Sequence, residues 1–118
     1  MTEAKVIKYP ITMDEVRKMA EDDLGDMVKA TVDIKQEIIA IGGQYHGDQK
    51  ELLMGDEYSR WEDIWGINIY PNESGEEQII FDSLVNVKPQ FDNNSREVIN
   101  TTIQDKVKEV VNKLIWDK

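Results

Sequence analysis

Apolar residues recur at helical spacing near both ends of this chain. In the stretch TMDEVRKMAEDDLG, four of them would form one stripe on a helix: Val16, Met19, Ala20 and Leu24. Thr12 and Glu15 have the spacing of a capping box, and Gly25 supplies a stop signal. The pattern therefore predicts a helix over residues 13–24.

A second helical pattern begins at Asn100 and is the strongest periodic signal in the chain. Six aliphatic residues fall on one stripe, with lysines and acids opposite: Ile103, Val107, Val110, Val111, Leu114 and Ile115. Burying six such side chains would contribute roughly 9 to 18 kcal/mol before the cost of ordering them. Because a small domain is stable by only about 5 to 15 kcal/mol, we expect the fold to depend on this helix.

The segments between these helices have the patterns of β-strands. VKATVDI alternates strictly and is followed, after KQE, by the apolar run IIAIGG, which predicts a hairpin. WGINIYP and EEQIIFDSLVNVKP flank the turn-forming NESGE and predict a second hairpin. We therefore expect residues 1–118 to form a single α+β domain. An antiparallel sheet of about four strands would carry the N-terminal and C-terminal helices on one face.

The other face of this sheet is predicted to be polar. In WGINIYP, Ile67 points at the helices, whereas Gly66 and Asn68 point away, because side chains alternate along a strand. If the strands of the second hairpin are neighbours, Asn68 shares this face with Asp82 and Asn86. These three side chains are candidate binding residues. The alternative is a solvated strand face with a glycine at a bulge.

Composition argues against several classes of function. The net charge of −10 disfavours binding to nucleic acid or to an anionic membrane, since such binding depends on Lys and Arg placed against phosphates. The chain has no cysteine, which excludes disulfides, thiolate catalysis and zinc sites built on cysteine. The start MTEAKVIKYP lacks the apolar core of a signal peptide, and no run of about 18 apolar residues occurs. We expect a cytoplasmic protein without a cofactor.

Five stretches of the chain carry a resemblance to a family. VKATVDI, AIGGQYHGD, WGINIYP, IFDSLVNVKP and VVNKLI together resemble a family of small, uncharacterised prokaryotic proteins, a domain of unknown function, over roughly residues 5–115. The resemblance implies no reaction, cofactor or catalytic residue. The chain has Gln44 where the family pattern shows an acidic residue, which argues against a role for a carboxylate there.

His46, the only histidine, lies in GGQYHGDQKELLMGD, a segment without a clear pattern. If the segment is extended, His46 and Asp48 share a face, and the carboxylate would raise the pKa of the imidazole and orient it. Alternatively, Asp48 caps a short helix in a capping box with Glu51, and His46 lies in a loop.

Two classes of function are compatible with these features. We expect a regulatory module that binds a small polar ligand or a protein through the polar sheet face or the loop around His46. The alternative is a small hydrolase or isomerase in which His46 is the general acid or base, with Asp48 or Asp82 as its partner. An acidic protein that binds divalent cations is a further alternative. The carboxylates between residues 21 and 26 lack the spacing of a calcium loop, and no residue is assigned as a metal ligand.

Overall fold

The structure, a computed structural model, describes residues 3–117, and this part of the chain contains three α-helices. They are α1 (Met13–Asp22), α2 (His46–Asp56) and α3 (Thr101–Leu114). The strands are β1 (Lys5–Ile7), β2 (Ile11–Thr12), β3 (Val28–Asp33), β4 (Ile38–Ile41), β5 (Ile64–Ile69), β6 (Ile79–Ile80) and β7 (Ile115–Trp116). Short 3-10 helices cover Trp61–Asp63, Gly75–Glu77, Leu84–Asn86 and Pro89–Phe91. None of the described helices is long and apolar enough to cross a membrane.

The main sheet has five strands in the order β1-β4-β3-β5-β6, and all neighbours are antiparallel. The hairpin predicted from VKATVDI and IIAIGG is confirmed as β3 and β4, in which Ala30 stands opposite Ile41. Strands β2 and β7 form a separate parallel pair that joins the start of α1 to the end of α3. The α+β class is therefore confirmed, with one more strand in the sheet than expected.

Helices α1 and α3 pack on the same face of the sheet, as the sequence predicts. Helix α1 ends at Asp22, two residues before its predicted end, and Thr12 accepts a hydrogen bond from the Glu15 N–H at 3.2 Å. Five residues of the C-terminal stripe are buried: Val107, Val110, Val111, Leu114 and Ile115. Ile103 is partly buried against the same core.

The other face of the sheet is covered by α2, so the alternative of a solvated strand face is wrong. The buried stripe of α2 consists of His46, Gln49 and Leu53, which have helical spacing. Gln49 accepts a hydrogen bond from the Thr31 hydroxyl at 2.8 Å and donates to the Lys29 carbonyl at 2.8 Å. Because two members of this stripe are polar, the helix has no apolar periodicity that the sequence could reveal.

The second predicted hairpin forms only next to its turn. Strand β6 has two residues, and they pair with Asn68 and Ile69 of β5. The strand predicted to continue to Val87 is wrong beyond Ile80, because the chain leaves the sheet and forms the 3-10 turn Leu84–Asn86. The polar row expected on a second strand is therefore part of a loop that packs against the sheet.

We expect Leu114→Ala to destabilise the protein by roughly 2 to 5 kcal/mol, because Leu114 is 2% exposed and its truncation would leave a cavity in the core. Asn112→Ala is the matched control on the same helix. Its side chain is exposed, and the change should be below about 0.5 kcal/mol. Equilibrium unfolding in urea measures both. Equal effects of the two substitutions would contradict the packing of α3.

Candidate functional site

A cavity of about 380 Å³ opens where the start of α2, strand β3 and the loop after β6 meet. Its wall is formed by residues 44–47 and Lys50, by Lys29 of β3, by Trp61, and by residues 83–85 together with Arg96. This volume lies in the range of small-molecule binding sites, roughly 300 to 1,000 Å³. We refer to it as the basic cavity, because of the charges described next.

The charged side chains in the wall of the basic cavity are all cationic. Lys29, Lys50 and Arg96 line it, and no aspartate or glutamate of the described chain does. Within residues 3–117, neither lysine has a carboxylate oxygen within 4.0 Å. Arg96 donates from Nε to Oδ1 of Asp82 at 2.6 Å. A chain with a net charge of −10 therefore gathers positive charge at one place.

The backbone at the start of α2 adds to this positive character, and the acidic residue of the first turn, Asp48, does not line the basic cavity. Tyr45 holds the N-cap position in an extended conformation, and its side chain makes no capping hydrogen bond. The first N–H groups of a helix lack acceptors within the helix, and the helix dipole places partial positive charge at this end. Both arrangements expected around Asp48 are wrong. The segment is neither extended nor capped by Asp48, which is the third residue of α2.

His46 is the first residue of α2 and is only 8% exposed. Its Nε2 lies 2.8 Å from the carbonyl oxygen of Ile67, which can only accept, so Nε2 carries the proton and donates. Burial lowers the pKa of His46 to about 4, the hydrogen bond to Ile67 opposes this shift, and Lys29 adds to it. His46 is therefore a neutral imidazole near pH 7.

The acid–base pair expected from His46 and Asp48 is not formed. The two residues are two positions apart on α2, where side chains do not face each other. Asp48 lines a different hollow of the surface. The expected rise in the pKa of His46 is wrong as well, because burial lowers it, and the Asp82 carboxylate opposes burial less than the Ile67 carbonyl does.

Gly66 gives His46 and the Ser83 turn room to pack against β5. A Cβ atom at Gly66 would lie 2.6 Å from Oγ of Ser83 and 3.2 Å from Cδ2 of His46. The register of β3 and β5 runs unbroken through Gly66, so the glycine does not mark a bulge. The glycine in WGINIYP is thus required for close approach of the cavity wall to the sheet.

Asn86 holds the loop after β6 against the outer edge of β5. Its Oδ1 accepts the Gly66 N–H at 2.7 Å, and its Nδ2 donates to the carbonyls of Gly66 and Arg96, each at 2.9 Å. Asn93, which the sequence analysis did not single out, donates from Nδ2 to the Asn86 carbonyl at 2.7 Å. Both amides are buried and replace backbone partners that a regular strand would supply.

Asn68 and Asp82 lie beside the basic cavity and do not line it. Asn68 stands opposite Lys29 in the sheet and is 6% exposed. Its Nδ2 is 3.3 Å from the Asp82 carbonyl oxygen, and its Oδ1 has no partner within residues 3–117. Asp82 reaches the cavity through its ion pair with Arg96. Of the four residues predicted to bind a ligand, His46 is the one that lines the cavity.

Lys88 is a fully buried lysine that no sequence pattern marked. Its Nζ lies 3.6 Å from the ring centroid of Trp61 and 4.7 Å from that of Trp65, and it donates to the Val85 carbonyl. Burial and the nearby Lys50 lower the pKa of Lys88 to about 7, whereas the two indole faces favour the charged form. Lys88 therefore supports the ring of Trp61 from behind the cavity wall.

A second hollow, of about 630 Å³, has the opposite charge. Its charged residues are Glu3, Asp48, Glu51 and Asp56. Among residues 3–117, no three His, Asp or Glu side chains are placed to hold a metal ion. The divalent-cation alternative therefore has no ligand set in the described part of the chain.

Comparison with known proteins identifies the family. A family model described as "Protein of unknown function (DUF5674)" matches residues 5–114, so the chain belongs to this family. The resemblance to an uncharacterised family is confirmed at this level, and the prokaryotic origin stays a prediction. No curated protein and no solved structure matches the chain.

We expect Gly66→Ala to destabilise the protein by about 1 to 3 kcal/mol, because the added methyl group collides with Ser83. Gly55→Ala is the matched control on α2. Its Cβ would meet nothing within 4 Å, and the change should be neutral or stabilising by up to about 1 kcal/mol. Adding Ser83→Gly to Gly66→Ala should recover part of the loss. Denaturant unfolding that ranks Gly66→Ala with Gly55→Ala would contradict the close approach.

The depressed pKa of His46 predicts a loss of stability in mild acid. The folded pKa of about 4 lies below the value of about 6.5 expected in the unfolded chain. The stability tied to the neutral ring is therefore complete above about pH 6.5 and is lost as the pH falls towards 4. From about pH 7 to 5, wild type should lose about 2 kcal/mol more than His46→Gln.

The titration of this single histidine can be followed directly by NMR of the imidazole ring. A folded-state transition far below the unfolded value is expected. A ring that titrates near pH 6.5 in the folded protein, with parallel stability curves for wild type and His46→Gln, would contradict the burial of a neutral imidazole.

Proposed function

We propose that this member of the DUF5674 family is a binding module for a small anionic ligand, with the basic cavity as its site. The observation that carries the proposal is the charge of the cavity wall. Lys29, Lys50 and Arg96 converge there without a carboxylate among the lining residues of the described chain. The uncapped start of α2 presents further donors at the same place.

These cations can attract an anion although the chain carries a net charge of −10. Two unit charges 4 Å apart interact by about 1 kcal/mol in water and by about 4 kcal/mol near a protein surface. At physiological salt, charges farther away than about 8 Å are largely screened. A ligand inside the cavity would therefore respond to the lining cations much more than to the acidic surface elsewhere.

The rim of the cavity supports a ligand that is more than a bare ion. Tyr45 is 64% exposed and Leu84 is 71% exposed, and both line the basic cavity beside Trp61. Exposed aromatic and aliphatic side chains around a small polar centre are typical of ligand sites. An anionic group held by the cations, attached to an apolar or planar body that contacts this rim, fits these features.

Binding is favoured over catalysis by the state of His46. A base whose pKa is about 4 accepts protons poorly near pH 7. Its Nε2 is engaged by the Ile67 carbonyl, and the Ser83 Oγ accepts the Val85 N–H at 3.1 Å. Neither group is arranged as the activated half of a nucleophile and base pair. The hydrolase or isomerase alternative thus gains no support from these contacts.

The cellular location and the classes of partner are also part of this proposal. The lack of cysteine is compatible with a reducing cytoplasm, and the acidic composition disfavours nucleic acid and membrane surfaces as partners. A regulatory role would follow if a bound ligand changes the conformation of the exposed rim, because a protein partner could bind the two conformations with different affinity. We propose a prokaryotic, cytoplasmic setting for such a module.

The test is saturable binding of a small oxyanion, with inorganic phosphate and sulfate as probes. Isothermal titration calorimetry at constant ionic strength should detect one site for at least one of them. Lys29→Gln and Lys50→Gln should each weaken binding by about tenfold, the equivalent of about 1.4 kcal/mol. Lys18→Gln, which removes an exposed lysine of α1 on the opposite face of the sheet, is the matched control and should leave binding unchanged.

Two outcomes would overturn the proposed function. One is the absence of saturable binding for both oxyanions. The other is an equal loss of affinity in Lys18→Gln and Lys50→Gln, because this would reveal an effect of net charge without a defined site. Each variant is first compared with wild type by thermal unfolding, so that a folding defect is not read as a binding defect.

A further inference from the structure

We infer that the basic cavity selects oxyanions that also carry a hydrogen-bond donor, which they give to Nδ1 of His46. The inference rests on the proposed function, since it concerns the ligand of the same cavity. Hydrogen phosphate belongs to this chemical class, as does any carboxylate or phosphate with a neighbouring hydroxyl or N–H group. Sulfate, which has the same shape and charge as hydrogen phosphate but no hydrogen near pH 7, does not belong to it.

The hydrogen bond to Ile67 fixes the tautomer of the His46 imidazole. The Ile67 carbonyl oxygen, 2.8 Å from Nε2, can only accept, so the ring proton is held on Nε2. In a neutral imidazole the other nitrogen then bears a lone pair. Burial disfavours a second proton on the ring, and Lys29 and Arg96 add to this effect to a smaller degree, so the neutral form is maintained by its surroundings.

The lone pair of Nδ1 is directed away from strand β5. Cδ2 of the ring faces Gly66 of β5, at 3.2 Å from the position of a Cβ there, and Nε2 faces the Ile67 carbonyl. The Cδ2–Nε2 edge is therefore turned to the strand. The opposite edge carries Nδ1, and it is this edge of His46 that remains for the basic cavity that the residue lines.

Nδ1 has no hydrogen-bond partner in the described part of the chain. Among residues 3–117, the ring makes one hydrogen bond, through Nε2. Nδ1 is not fully buried, so a ligand in the cavity can reach it. A fixed, nearly buried acceptor thus stands among cationic donors, and a ligand needs both negative charge and a donor to satisfy the whole wall.

An acceptor fixed in this way discriminates between otherwise similar anions. Hydrogen phosphate can donate its O–H to Nδ1 while its other oxygens face Lys29 and Arg96. Sulfate would place an oxygen lone pair against the lone pair of Nδ1. A site built to accept a hydrogen bond rejects an analogue that lacks the donor, and we expect phosphate to bind at least about tenfold more tightly than sulfate.

The experiment compares the two anions on wild type and on His46→Gln by calorimetry at about pH 7.5, well above the pKa of about 4 of His46. The glutamine amide can keep the donation to Ile67, and its one acceptor, Oε1, is bonded to Cδ, so no acceptor is bonded to Cγ as Nδ1 is in histidine. The expected result is a phosphate preference in wild type that falls to within about twofold in His46→Gln. Thermal unfolding confirms that the variant is folded.

A second readout needs no substitution. Because the chain has one histidine, its two ring nitrogens can be assigned by ¹⁵N NMR. Phosphate should shift the Nδ1 resonance in the direction of an accepted hydrogen bond and leave Nε2 protonated, and sulfate should not shift it. Equal affinities for both anions, or a preference unchanged in His46→Gln, would overturn this inference while the anion site stands. No binding of either anion would overturn the proposed function.

Discussion

The pairing of the Asn86 side chain with the backbone of Gly66 is the contact on which the basic cavity depends. Within residues 3–117, strand β6 pairs only with Asn68 and Ile69, so it does not reach the outer edge of β5 at Gly66. A buried peptide group without a partner costs roughly 1 to 3 kcal/mol. The Asn86 amide meets both the N–H and the carbonyl of Gly66, and in doing so it fixes the turn that forms one wall of the cavity.

Gly66 also connects this edge contact to the orientation of His46. The residue offers its backbone to Asn86, and the absence of its side chain leaves space for Ser83 and for the imidazole ring. The ring then donates to the carbonyl of the next residue, Ile67. Gly66 and Ile67 of β5 thus couple the edge of the sheet, the wall of the cavity and the tautomer of the imidazole. A change in one of these three features alters the other two.

Much of the fold could be predicted because its signals are local. The stripe and capping box of α1, the stripe of α3 and the strict alternation in β3 are each readable within a few residues. The strand predicted beyond Ile80 failed because apolar and polar residues alternate by chance in a loop that also has one side facing the core. The contacts of Asn86 with Gly66 and the 3-10 turn at Leu84–Asn86 distinguish this loop from a strand.

The site was less predictable, because its cations come from distant parts of the chain. Lys29, Lys50 and Arg96 belong to a strand, a helix and a loop, and nothing in their local sequence marks them. The glycine pair before His46 is no such marker either. Gly42 and Gly43 both have positive φ angles, but their N–H groups donate to the Lys29 carbonyl and to Oδ2 of Asp23, and neither residue lines the basic cavity.

Helix α2 shows why net charge is a poor guide to such a site. Gln44 and Tyr45 line both the acidic hollow and the basic cavity, so the start of the helix separates two surfaces of opposite sign. This requires charged side chains on both exposed sides of α2, with Asp48 and Glu51 facing one hollow and Lys50 facing the other. The buried stripe between these two sides holds the helix to the sheet through the hydrogen bonds of Gln49 and His46 and the packing of Leu53. Polar residues in this stripe conceal α2 from an apolar periodicity, and charged residues on its exposed sides separate the surfaces of opposite sign.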